Sequence, residues 1–141
     1  MTPSASRNAR PNVAVVIAAF NAETTINLAV RSALTEPETL EVWVVDDAST
    51  DATARVAESC DDGSGRLRVI RQAVNGGPSA ARNVALAATR AEWICVLDAD
   101  DQFAPGRLGR LLAEAEGAEM VADAITRVVS PDAAAAFNPK D

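Results

Sequence analysis

Three carboxylates stand in four residues at Asp98-Ala99-Asp100-Asp101, in a chain of 141 residues that has no histidine. Like charges so close repel one another, and a run that adds only solubility is usually mixed with Lys or Ser. Hard oxygen donors suit Mg2+ or Mn2+, which are typically held by one or two carboxylates plus substrate phosphates. An acidic rim would repel a diphosphate unless a divalent cation sat between them. A metal ion with a phosphorylated ligand is therefore more coherent than either alone.

Other polar residues follow apolar runs in the same way. Phe20-Asn21 follows the first run, Asp46-Asp47 the second and Asn75-Gly76-Gly77 the third. A carboxylate at a strand end can accept hydrogen bonds from a base N–H or a ribose hydroxyl, as acidic residues do in dinucleotide folds. The Gly76-Gly77-Pro78 turn lets backbone approach a ligand. Arg82, one turn into the next helix, could reach a phosphate or serve as a surface cation. Phe20, one of three Phe residues, could be core or could stack on a base.

Composition removes several chemistries. Without His there is no Ser-His-Asp or Cys-His nucleophile system and no His-ligated zinc. Cys60 and Cys95 are too few and too far apart for a metal knuckle and read as small buried hydrophobes. The formal charge is −7 and the only lysine is Lys140, which argues against a nucleic-acid partner. No apolar run approaches the ~18 residues of a membrane span, and the polar start of the chain is unlike a signal peptide. A reducing, cytoplasmic setting is expected.

The elements that must position these residues alternate along the chain. Apolar runs at 13–19, 40–45, 67–70 and 93–97 read as strands, each apolar on both sides, with a fifth at 120–125. Between them lie helical faces at Ile26, Val30, Ala33 and Leu34; at Thr53, Val56, Ala57 and Cys60; at Ala81, Val84, Ala85 and Ala88; and at Leu108, Leu111, Leu112 and Ala115. This pattern predicts an α/β fold, a mostly parallel sheet covered by helices on both faces. Ser49 and Ser79 are expected as N-caps and Pro105 in the first turn of the last helix. All four polar clusters then fall at the carboxyl ends of strands, where open α/β sheets bind ligands.

Four segments carry a resemblance: Val-Val-Ile-Ala-Ala-Phe-Asn (15–21), Val-Val-Asp-Asp-Ala-Ser-Thr-Asp (44–51), Asn-Gly-Gly-Pro-Ser-Ala-Ala-Arg-Asn (75–83) and Leu-Asp-Ala-Asp-Asp (97–101). In this order and spacing, with Pro105 and Arg107-Leu108 behind the last, the chain resembles the inverting family 2 glycosyltransferases. The resemblance implies the Rossmann-like GT-A fold, a three-layer α/β/α sandwich, and a site for a nucleotide-diphospho-sugar, above all a UDP-sugar. It implies donor-binding roles for Ala18, Phe20, Asn21, Asp47, Arg82 and Asp98, with Phe20 against the base and Asp47 accepting from it. Asp98-Ala99-Asp100 corresponds to the family's DxD motif, with Asp98 near the ribose and both carboxylates as metal ligands for Mn2+ or Mg2+. The acceptor would be a saccharide or a lipid-linked one, at the inner face of the membrane.

The family's general base is an acid well beyond the DxD strand, and Asp123 and Asp132 sit in no recognisable motif. The expected organisation is a disordered lead at 1–11, a donor-binding domain at 12–128 and an irregular tail at 129–141, ending before an acceptor half. An exposed apolar edge there could make a homo-oligomer. Rival readings are a phospho-acceptor receiver, a phosphohydrolase using Asp98 and Asp100, and a nucleotidyltransferase or sugar-nucleotide-binding module. The receiver is opposed by the strand–helix unit before Asp46 and by the lack of a lysine at a fifth strand end.

Overall fold

Four of the seven residues of Val13–Ala19 are β-branched, and this segment forms β1 at the centre of the sheet, buried throughout except at Ala18. Stiff β-branched side chains fit a pleated surface packed on both faces. A computed structural model describes residues 12–120. The lead at 1–11, the tail at 129–141 and all of the fifth run except Met120 lie outside the described residues. After β1 come α1 (Ile26–Thr35), β2 (Thr39–Asp46), α2 (Thr53–Glu58), β3 (Leu67–Arg71), α3 (Pro78–Ala88), β4 (Trp93–Val96) and α4 (Arg107–Ala113).

The sheet order is β3-β2-β1-β4, and every pair is parallel. Side chains alternate across it. Val13, Val15 and Ile17 pack with Ile26, Val30 and Ala33 of α1, Ala57 of α2 and Leu108 of α4 on one face. Ala14 and Val16, with Trp43 and Val45 of β2, meet Ala81 and Ala85 of α3 on the other. Full burial of a Val or Ile side chain contributes about 1.5–3 kcal/mol, so these two clusters hold the three layers together.

The outer strands depart from the sequence reading. β3 exposes Arg68 and Arg71, and β4 exposes Ile94 and Val96, which lie beside Ala14 and Val16 on the α3 face. Helix α3 packs on β1 and β2, so among the described residues no helix covers the β4 end of that face. The capping expectations also fail. Ala52, Gly77 and Gly106 are the N-caps of α2, α3 and α4. Gly77, at φ 92°, takes the capping position of α3, and Ser79 lies inside the helix behind Pro78 at its start. Pro105 precedes the Gly106 cap of α4 rather than entering its first turn.

Since all strands run the same way, all four exits lie on one rim. The chain fills positions outward through β2 and β3, then crosses back to place β4 on the far side of β1. The crevice between the ends of β1 and β4 is thus the switch point at which such sheets bind ligands.

Candidate functional site

The β4 exit is shaped by alternation. Leu97, Ala99 and Phe103 are buried, and the Leu97 N–H donates to the Val16 carbonyl at 3.0 Å. The carboxylates between them are therefore turned outward, in a turn closed by the Asp101 N–H on the Asp98 carbonyl at 3.0 Å. Oxygens of Asp98, Asp100 and Asp101 lie within 4.8 Å of one another, the one group of ligating side chains so close among the described residues. Three anionic donors at this spacing fit a hard divalent cation.

Partial burial first, and then the charges of Asp100 and Asp98, raise the Asp101 carboxyl above its ordinary pKa. A raised carboxyl stabilises the fold below its unfolded pKa, and that contribution is lost as pH rises through the folded value. Asp101→Asn is accordingly expected to raise the melting midpoint of the metal-free chain at pH 7 and to leave it unchanged at pH 3. Thermal melts at the two pH values check this.

The exits of β1 and β2 are laced together. Asn21 and Ala48 adopt left-handed backbone, at φ 49° and 62°. The Asn21 N–H donates to Ser49 Oγ at 2.9 Å, and the Thr50 N–H returns a bond to Asn21 Oδ1 at 2.9 Å. Ser49, expected as a helix cap, binds this loop instead. Further in, the Ala22 N–H donates to Thr53 Oγ1 at 2.8 Å and the Ala52 N–H to Glu23 Oε2 at 2.9 Å. These bonds present Phe20, half of whose surface is exposed, at the mouth of the crevice. The side-chain oxygen of Asn21 is committed to the loop by its bond from the Thr50 N–H.

Asp47 joins the next exit. Its N–H donates to the Ala19 carbonyl at 2.8 Å, and its Oδ1 and Oδ2 accept from the N–H groups of Gly76 and Gly77 at 2.9 and 2.8 Å. Asn75 Nδ2 donates to the Asp47 carbonyl at 3.2 Å. A Cβ on Gly76 would stand 3.2 Å from that of Ala80, a tight contact that would press the loop against α3. A carboxylate has about four acceptor sites; two of those of Asp47 are taken by the Gly76 and Gly77 bonds, and the residue is only 4% exposed. Asp46 is fully buried, accepts from the Ser49 N–H at 3.0 Å and faces Arg71 Nε at 3.6 Å.

Across the crevice, Arg82 Nη2 of α3 donates to Asp98 Oδ1 at 3.2 Å. The pair is partly exposed, so its own stabilisation is about 0–1 kcal/mol; what it shows is that Arg82 reaches the acidic turn. Ala18 is half-buried on the α3 face just inside the β1 exit. The structure thus brings Arg82, Asp98, Asp100 and Asp101 together on one side, and Phe20, Asn21 and Asp47 along the rim. Sequence reasoning missed the lacing role of Glu23, Ser49, Thr50 and Thr53, reading Ser49 as a helix cap and Thr53 as part of a helical face. Asp51 carried a signal, since Asp two residues before a backbone N–H commonly folds into an Asx turn, and its Oδ1 accepts from the Thr53 N–H at 3.0 Å.

A parallel three-layer sheet with a carboxylate cluster and an arginine at its switch point has the chemistry to suit a phosphorylated ligand bridged by a divalent ion. Residues 14–138 match the model of Glycosyl transferase family 2, and the chain belongs to that family. It is similar to the succinoglycan biosynthesis protein ExoU of Rhizobium meliloti strain 1021, at 52% identity over 130 residues, covering 92% of this chain and 38% of that protein. Among solved structures, S. aureus TarS 1–349 in complex with UDP-GlcNAc aligns with a TM-score of 0.68 at 30% identity, covering 75% of this chain and 31% of that one. The mannosyltransferase PcManGT from Pyrobaculum calidifontis, in complex with GDP-Man and Mn2+, aligns at 0.66 and 26% identity, covering 73% and 32%. The fold is the Rossmann-like GT-A arrangement that the resemblance implied. The chain spans less than two-fifths of the length of these relatives.

Proposed function

We propose that the chain forms the donor-binding part of a glycosyltransferase that moves a sugar from a nucleotide-diphospho-sugar to a saccharide or lipid-linked acceptor. The observation that carries the reading is the meeting of Arg82 with the Asp98–Asp100–Asp101 turn at the β1/β4 switch point. A UDP-sugar is the preferred donor, in line with the UDP-GlcNAc in TarS. Phe20 stacks on the base, Asp47 accepts from a base N–H, and Ala18 and Asn21 line the approach. Asp98 and Asp100 hold Mn2+ or Mg2+, and Arg82 turns from Asp98 to the diphosphate. Bound there, the ion neutralises charge on the departing nucleoside diphosphate as a Lewis acid.

In this reading the base that deprotonates the acceptor hydroxyl lies C-terminal of residue 141, in an acceptor half. The name of the ExoU relative favours a polysaccharide product. Among the described residues no helix is long and apolar enough to cross a membrane; the reading places the chain in the cytoplasm, at the inner membrane face. Ile94, Val96 and Met120 are exposed near the β4 edge and could support self-association, which light scattering would reject by finding a clean monomer.

Calorimetry with UDP and Mn2+ tests the proposal. Binding is expected with the ion and not with chelator. Phe20→Ala should weaken it about tenfold or more, since stacking on one base is worth about 1–3 kcal/mol, with an unchanged melting midpoint because the ring is exposed. Sugar transfer by residues 1–141 alone would contradict the claim that the base lies elsewhere.

A further inference from the structure

We infer that Ser32, in the second half of α1, and Glu36, the residue that ends it, are positioning residues for the acidic turn. The inference rests on the metal-binding reading above and adds two side chains to it. Beyond Ala99 the chain leaves the strand and is anchored at two places. The Phe103 N–H donates to Ser32 Oγ of α1 at 3.0 Å, while the Phe103 ring is buried in the core with the Arg107 guanidinium 5.0 Å above it. Glu36, which follows the last residue of α1, accepts from the Gly106 N–H at Oε2 and the Leu108 N–H at Oε1, both at 3.0 Å.

Glu36 is only 3% exposed. Burying a carboxyl is costly unless its oxygens are bonded. Here both are, by the otherwise unpaired N–H groups at the start of α4, whose local positive potential favours an acidic group. The residue is itself fixed: its N–H bonds the Ala33 carbonyl and its carbonyl receives the Thr39 N–H. Ser32 is held in the same way, donating to the Ala29 carbonyl at 2.9 Å while accepting from Phe103.

The consequence is a shared frame. Helix α1 starts from the loop that carries Phe20 and Asn21, and its far end grips the segment that follows Asp101. One rigid element therefore sets the base side and the metal side of the crevice relative to each other. Without these bonds the segment from Gln102 to Arg107 keeps side-chain anchors such as the buried Phe103 ring and the Arg107 guanidinium, 3.6 Å from Cys95 Sγ, but loses its backbone ties to α1, and the placement of Asp100 loosens. Groups that orient metal ligands from behind typically cost about 10–100-fold in affinity when removed.

Mn2+ titration of the 141-residue chain in the presence of UDP, read by the electron paramagnetic resonance of free Mn2+, tests this. Ser32→Ala and Glu36→Ala are expected to weaken Mn2+ binding about tenfold. Ser32→Thr keeps the hydroxyl and should restore it. Leu34→Ala lies between them on α1, lowers the melting midpoint by lost packing alone, and should leave affinity within about twofold of wild type. Unimpaired Mn2+ binding in both Ser32→Ala and Glu36→Ala overturns the inference, as does an equal loss in Leu34→Ala. Should Glu36→Ala fail to fold, the Ser32 pair decides. A wild-type chain that binds no Mn2+ defeats the proposed function itself, a result distinct from normal binding by the wild type and its variants alike.

Discussion

Asp100→Asn is expected to lower Mn2+-dependent UDP binding by at least about a hundredfold, more than the loss of an outer-shell group usually causes. Asp100 is exposed and, among the described residues, makes no hydrogen bond that supports the fold, whereas Asp98 bonds Arg82. Removing its charge relieves repulsion within the cluster, so the metal-free chain should melt at the same temperature or slightly higher. Surface changes of this kind are usually within about 0.5 kcal/mol. Loss of ligand binding without loss of stability is the signature that separates a metal ligand from a structural acid. Calorimetry and thermal melts on the same preparation read both quantities.

Asp47→Ala is expected to do the reverse and the same together: to destabilise the fold and to lose nucleotide. Its carboxylate accepts two backbone N–H bonds, from Gly76 and Gly77, and a hydrogen bond to a charged group is worth about 1.5–3 kcal/mol. Truncation leaves both donors unpaired, a loss of about 3 kcal/mol and on the order of 10 °C in melting midpoint for a domain of this size. The loop before α3 then loosens, and Arg82 on that helix loses its fixed approach to Asp98. Asp47→Asn keeps one acceptor oxygen and should fall between the two. A melt of Asp47→Ala that matches wild type would show that the glycine loop stands without this clamp.

The central architecture was legible because its signals are local. The β-branched run of β1 and the 3.6-residue spacing of Ile26, Val30, Ala33 and Leu34 each act within one element, and alternation of the two kinds forces a parallel sheet. Convergence of Phe20, Asp47 and Asp98 on one rim followed from that topology with no knowledge of contacts. The edge strands were misread because an apolar run such as Trp93–Val96 looks the same whether one face or both are covered; what covers it is set by where α3 lies.

Within the site, residue types could be picked out but not their partners. Ser49 has the chemistry of a helix cap, and only the left-handed turns at Asn21 and Ala48 bring it to the neighbouring strand exit instead. The Arg82–Asp98 pair depends on the rotation of α3 about its axis, which packing of Ala81 and Ala85 against β1 and β2 decides. Glu36 and its partners Gly106 and Leu108 are 70 and 72 residues apart in sequence, beyond any local pattern.

The most direct measurement is anomalous diffraction from crystals of the chain grown with UDP and Mn2+. The account predicts a manganese peak bonded to carboxylate oxygens of Asp98 and Asp100 and to the diphosphate, with the uracil against Phe20. A manganese peak away from that turn, or a nucleotide bound elsewhere with Asp98 still paired to Arg82, would contradict it.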